Sequence, residues 1–323
     1  MEKRFETILS LELPYRETLK LQRSIYRGGS GPRVAITAGI HGDELEGLYV
    51  CHRLAAWLEA LERTRPEALL GQVELYPGMN PLGLDTLQRT VPVYDSDLNR
   101  SFPGHPHGLL PQRIAAAALA HLEGAALVID VHASNIYLRE IPQTRIDERF
   151  ATTLLPLARR LNLDIIWIQQ NVMSLLETTL AHSLNQQGTP CLSVEMGAGI
   201  SLTTAFAEQL LSGILTLCQE LGVLAPDLVL PEPSHRPLIV DDSKIHPLNA
   251  VTSGMFVPAL EHGVAVTINQ LLGHIVSPFQ GDSLAVVRSP VAGRLFTLRR
   301  YPLVYEGSLL ARIVETPTLE QGS

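Results

Sequence analysis

A β-branched, apolar run, Arg33-Val34-Ala35-Ile36-Thr37-Ala38-Gly39-Ile40, stops at His41-Gly42-Asp43-Glu44, and helical apolar spacing begins at Leu45. A strand that turns through glycine directly into a helix is the opening half of a strand–helix–strand unit. It sets whatever the turn carries beyond the carboxyl end of the strand. Here the turn carries a histidine and, three residues on, a glutamate. Imidazole and carboxylate both suit Zn2+, and this separation lets the two side chains reach one ion from a strand end. Such a pair alone is common on solvated helix faces, so the rest of the chain decides.

The same alternation continues. Glu6 to Pro14 and Glu17 to Tyr26 alternate polar and apolar residues, as an antiparallel hairpin would. Helical spacing predicts helices over Leu45 to Arg63, Leu109 to Glu123, Arg149 to Leu161, Ser174 to Gln187 and Leu202 to Leu221. Short apolar runs predict strands over Arg33 to Ile40, Gln72 to Tyr76, Ala125 to Val131 running into His132, Asp164 to Gln169, and Thr189 to Val194 running into Glu195. Gly78 to Gly108 has little periodicity and reads as a long ordered loop, a class that commonly carries function. These elements predict an α/β domain over residues 1–225, a mostly parallel mixed sheet flanked by helices. Four prolines then cluster between Ala225 and Pro237, and afterwards only short strands with glycine turns are visible. Residues 226–323 therefore read as a small all-β domain.

Composition narrows the function. At 46% hydrophobic residues the chain can bury more than one average core, and a formal net charge of −8 argues against a nucleic-acid partner or an anionic membrane surface. No apolar run reaches the length of a membrane span, and the N-terminus lacks a signal-peptide pattern. Cys51, Cys191 and Cys218 cannot all pair and read as buried thiols of a reduced, cytoplasmic protein, with a homo-oligomer allowed.

Three further stretches carry chemistry. His132 closes the strand Ile129-Asp130-Val131-His132 and completes a two-histidine, one-glutamate set, the ligand count of a catalytic zinc with a position open for water. His105 and His107 compete for the third place; His132 is preferred because a strand end is rigid before the ion arrives. In Asp97-Leu98-Asn99-Arg100, with Arg89 upstream, planar donors suited to a carboxylate suggest an anionic substrate. Glu195 closes an apolar strand and must face solvent, an arginine or a water at a metal; beside a zinc site, a general base for that water is the better reading.

The order His-Gly-x-Glu, Asp-Leu-Asn-Arg-x-Phe-Pro-Gly, Asp-x-His and strand-terminal Glu resembles the succinylglutamate desuccinylase/aspartoacylase family of the zinc carboxypeptidase group. The resemblance implies one Zn2+ per chain on His41, Glu44 and His132. It also implies that Asp97 hydrogen-bonds the far nitrogen of His41, that Arg89 polarises the scissile carbonyl, that Asn99 and Arg100 grip the amino-acid carboxylate, and that Glu195 is the general base. The implied reaction is hydrolysis of the amide of a small anionic N-acyl amino acid by metal-activated water. Several relatives close a tyrosine over the substrate, yet no tyrosine lies between Tyr137 and Glu195 here, which leaves His182 or Gln170 as substitutes. Arg139 and Arg145 are the candidates for an extra arginine toward an acidic group. The tail from Gly254 to Ala311 resembles the β-sandwich of biotinyl and lipoyl carriers, but no lysine follows Lys244, so a role in limiting access to the site is expected. The alternatives are a metallocarboxypeptidase acting on short peptides, with the same groups in a wider cleft, and a non-catalytic binding protein on the same fold.

Overall fold

The computed structural model describes residues 1–170 and 177–316. The chain opens on a hairpin, β1 (Glu2–Leu13) and β2 (Arg16–Arg27), followed by β3 (Arg33–Ala38), α1 (Glu46–Thr64), β4 (Gln72–Tyr76) and α2 (Pro81–Thr86). Next come α3 (Leu110–Leu122), β5 (Leu127–His132), β6 (Leu138–Asp147), α4 (Ala151–Ala158), β7 (Ile165–Gln169), α5 (Leu180–Gln186), β8 (Cys191–Gly197) and α6 (Thr204–Glu220). The C-terminal part is built of strands: β9 (Leu238–Asp241), β10 (Ile245–Asn249), β11 (Gly254–Pro258), β12 (Ala265–Val266), β13 (Leu271–Val276), β14 (Ser283–Arg288), β15 (Gly293–Arg299), β16 (Leu303–Val304) and β17 (Leu309–Glu315). Among the described residues, no helix is long and apolar enough to cross a membrane.

The architecture is mixed α/β. A large sheet runs β1-β2-β4-β3-β5-β8-β6-β15-β17-β10, and a separate sheet of β14, β13, β11 and β16 stands at the C-terminal end. At its centre β4, β3, β5 and β8 are parallel, with Ile36 opposite Ile129 and His132 opposite Glu195. Both faces of this centre are covered. Helix α1 buries Val50, Leu54, Leu58 and Leu61, a stripe at helical spacing, and packs beside α6 on one face. Ile114, Ala115 and Ala118 of α3 and Leu180 and Leu184 of α5 cover the other. Each large apolar side chain so buried contributes about 1.5–3 kcal/mol before the entropy of ordering it is charged against it.

Most expected elements stand where the spacing puts them, with ends shifted by a few residues, and three differ in kind. Within the expected loop Gly78 to Gly108 a short helix forms, because Pro81 sits in its first turn and the Asn80 side chain accepts the Gly83 N–H. Strand β8 continues two residues beyond Glu195, so this carboxylate stands inside the strand and not at its end. Strand β6 is wholly additional. Pro142 interrupts its pattern, and the chain accommodates the missing donor with a register shift between Glu140 and Gln143 against β8. Of the expected helix Ser174 to Gln187, residues 174–176 lie outside the described residues; the helix runs over Leu180–Gln186.

Two glycines seat the turn after β3. Gly39 has φ +68°, a left-handed conformation that turns the chain out of the sheet. Gly47, in the first turn of α1, lies so close to the sheet that a Cβ there would stand 2.7 Å from the Ala38 Cβ and 2.9 Å from the Val131 carbonyl oxygen. Gly47→Ala therefore overpacks the contact by more than its gain in helix propensity, for a net destabilisation of about 1–2 kcal/mol. A lower urea midpoint at unchanged slope checks it.

Candidate active site

Beyond the carboxyl ends of β3 and β5, one buried carboxylate joins two imidazoles. Glu44 Oε1 lies 2.7 Å from His41 Nδ1, and Glu44 Oε2 lies 3.0 Å from His132 Nδ1. All three side chains are buried, and their ligand atoms lie within 4.8 Å of one another. The Glu44 oxygens also accept from Arg89 Nη1 at 2.9 Å and from the Ala133 N–H at 3.0 Å. Burial opposes the charge on Glu44, but His41 and His132 outweigh it and hold the carboxyl well below its usual range.

The outer nitrogens are fixed as firmly. His41 Nε2 meets Asp97 Oδ1 at 3.0 Å, and His132 Nε2 meets Asp130 Oδ2 at 2.8 Å. Thr37 Oγ1 donates to the other oxygen of Asp130 at 2.7 Å. Burial would lower the proton affinity of both rings, yet the facing carboxylates prevail: Glu44 and Asp97 raise His41, and Asp130 and Glu44 raise His132 well above its usual range. With each Nε2 occupied by a carboxylate, both Nδ1 atoms point at the same centre. Two imidazole nitrogens and a carboxylate oxygen around one point are a donor set that fits a divalent ion of the zinc type, with carboxylate partners behind the rings.

Asp130 was not among the candidate residues read from the sequence. Its signal was present, because Asp130 and His132 are two apart on one strand and so share a face. His105 and His107 stand apart from the cluster, exposed and 6.0 Å from each other between ring centroids.

The loop carrying Arg89 is tied to the His41 turn through the backbone: Asn80 N donates to Gly39 O at 2.8 Å, and Gly42 N to Gln88 O at 3.0 Å. Arg89 Nη2 also reaches Asp97 Oδ2 at 3.4 Å. A cavity of about 260 Å3 opens from the cluster and is lined by Arg89, Asn99, Arg100, Arg145, His182 and Glu195. Asn99 is buried and spends its amide oxygen on the Leu180 N–H, which among the described residues leaves its amide nitrogen for a ligand. Arg100 is braced by the Asn99 carbonyl oxygen at 2.8 Å. Burial raises the proton affinity of Glu195, with Arg145 and His132 opposing in part. His182 lies against Phe150 with ring centroids 5.8 Å apart; Gln170 is not among the lining residues, whereas its neighbour Gln169 is. Arg145 lines the cavity, but Arg139 does not and reaches toward Thr203.

The profile described as the succinylglutamate desuccinylase/aspartoacylase catalytic domain matches residues 30–221, more than half of the chain. The chain belongs to this family. It is 25% identical over 306 residues to the N-alpha-acetyl-L-2,4-diaminobutyric acid deacetylase of Halomonas elongata, covering 90% of this chain and 84% of that one. Solved structures share the fold, among them the following two. The product-bound ectoine utilization protein EutE (DoeB) from Ruegeria pomeroyi matches at TM-score 0.82 and 22% identity, over 97% of this chain and 95% of that one. A succinylglutamate desuccinylase/aspartoacylase from Rhodobacter sphaeroides matches at TM-score 0.81 and 22% identity, over 98% and 96%.

Because both rings carry raised proton affinity and a divalent ion must displace the protons at Nδ1, metal affinity falls as the pH is lowered from about 8 to about 6. Asp130→Asn removes the charge behind His132 and weakens binding about 10- to 100-fold at neutral pH. Competition with a chromogenic chelator, run on both proteins across that range, measures the two effects.

Proposed function

We propose that the protein is a zinc-dependent amidohydrolase that removes the acyl group from a small anionic N-acyl amino acid. The observation that carries this reading is the convergence of the His41, Glu44 and His132 cluster, Glu195, and the planar donors Arg89, Asn99 and Arg100 on one cavity. The relation to a deacetylase of an N-acetylated amino acid supports the same reaction class.

His41, Glu44 and His132 hold one ion per chain. When bound, the ion supplies Lewis acidity toward the scissile carbonyl and a more acidic neighbouring water. Glu195 takes the proton of the attacking water on its carboxylate and passes it to the leaving amine, and the proton affinity conferred by its burial suits both halves of that task. Arg89 turns its guanidinium to the oxygen that becomes negative, while Asn99 Nδ2 and the Arg100 guanidinium hold the α-carboxylate of the amino acid. Asp97 keeps His41 in the tautomer and orientation that present Nδ1 to the ion. His182, with no hydrogen bond from its ring among the described residues, stands where a substrate in the cavity would meet it. The catalytic part spans residues 1–225 and the β-rich part 226–323, and the buried free thiols suit a cytoplasmic setting.

Release of free amine is the readout, with the zinc-loaded protein offered N-formyl, N-acetyl and N-succinyl amino acids and a set of dipeptides. Acylated amino acids are turned over, and Glu195→Gln loses about 10²- to 10⁴-fold in kcat while keeping its metal. Turnover confined to dipeptides makes the protein a carboxypeptidase, and full activity in the variant removes Glu195 from the role of base.

A further inference from the structure

Gln143 of β6 is 0% exposed, yet among the described residues neither its amide oxygen nor its amide nitrogen has a hydrogen-bond partner. Glutamine is seldom buried so completely, and a buried amide without partners gives up its hydration for nothing. Such a group in a native interior calls for a reason. Pro142 precedes it, and the register shift that begins after Glu140 ends on it, so a local distortion of β6 sets where this side chain stands.

The register shows what the amide faces. Gln143 lies directly opposite Glu195 across the antiparallel pair of β6 and β8. Side chains so paired leave the sheet on one face with Cβ atoms about 4.5–5.5 Å apart, within reach of a glutamine. On the other edge of β6 its neighbour is Ile165, which is buried and apolar. Two residues along the same face stands Arg145, whose Nε is also buried without a partner. Its Nη2 is spent on Glu140 at 2.9 Å, as is Arg312 Nη1 of β17 at 2.8 Å. Charge in this corner is balanced, with Arg145 and Arg312 against Glu140 and Glu195. Hydrogen bonding is not: among the described residues the Glu195 carboxylate accepts none from another side chain. Arg145 Nε can only donate and a carboxylate can only accept, whereas an amide does both. Glutamate at this position would repel Glu195, and an apolar residue would serve neither neighbour.

We propose that Gln143 is a positioning residue for the base: its amide oxygen accepts from Arg145 Nε and its amide nitrogen donates to Glu195 when the zinc-loaded site works. A donor on one carboxylate oxygen stops the group from turning and leaves the other oxygen for the attacking water. The inference rests on the reading of Glu195 as the base. Hydrogen bonds to a base commonly tighten only in the complex with substrate.

Gln143→Met keeps the length of the side chain and removes the amide. In the zinc-loaded protein it lowers kcat on N-acyl amino acids about 10- to 100-fold, while KM and zinc content hold. Gln143→Asn retains the amide but draws it back by one methylene; it also lowers kcat, and it carries the test if Gln143→Met fails to fold. A kcat unmoved in the folded variants, or one that falls together with zinc content, overturns the proposal and leaves Gln143 a buried amide bridged by water. A second readout needs no turnover. Among urea midpoints of the zinc-loaded protein, Gln143→Met raises the value more in a Glu195→Leu background, where the amide has lost its acceptor, than in the unaltered one. Equal changes in the two backgrounds overturn the contact. If no N-acyl amino acid is hydrolysed, the reaction assignment falls by itself, and this cycle still decides whether Gln143 holds Glu195.

Discussion

The buried Glu44 carboxylate is the constraint on which the rest of the site depends. A charge removed from water costs several kcal/mol unless its surroundings replace the lost hydration. Here the replacement comes from four directions: His41 of its own turn, His132 at the end of β5, the Ala133 N–H just beyond, and Arg89 from the loop after β4. These donors come from three segments, so satisfying one carboxylate fixes the relative positions of two strand ends and a loop. Asp97 and Asp130 repeat the arrangement one layer out, and their oxygens orient the rings toward the centre.

That centre is held by the buried, parallel middle of the sheet. Three parallel strand pairs, with helices on both faces, leave His41 and His132 at adjoining strand ends and Glu195 beside His132. Strand β6 then carries the sheet outward. One edge of β6 pairs with β8, while on the other its first half pairs with β15 and its second half with β7, so the C-terminal strands are hydrogen-bonded into the edge of the site and deliver Arg312 to it.

What was legible in the sequence follows from how local each signal is. The strand run into Gly39 and His41, and the run into His132, announce themselves within ten residues, and the structure brings both histidines and Glu44 together. The loop of Arg89, Asn99 and Arg100 was marked by its residue types, although its short helix was hidden behind Pro81 and Gly83. Strand β6 was hidden for a related reason, since Pro142 breaks the alternation that announces a strand. With it went the placement of Glu140 and Arg145. Arg312 lies 172 residues from its partner Glu140, and no local pattern encodes such a pairing.

The most direct test of the account is a visible-absorption titration of the metal-free protein with Co2+, whose d–d bands report a low-symmetry site of nitrogen and oxygen ligands. The account predicts bands that saturate at one equivalent per chain, are displaced by Zn2+, and vanish in His132→Ala. Bands that survive that substitution, or none in the unaltered protein, would contradict a metal centre built on His41, Glu44 and His132.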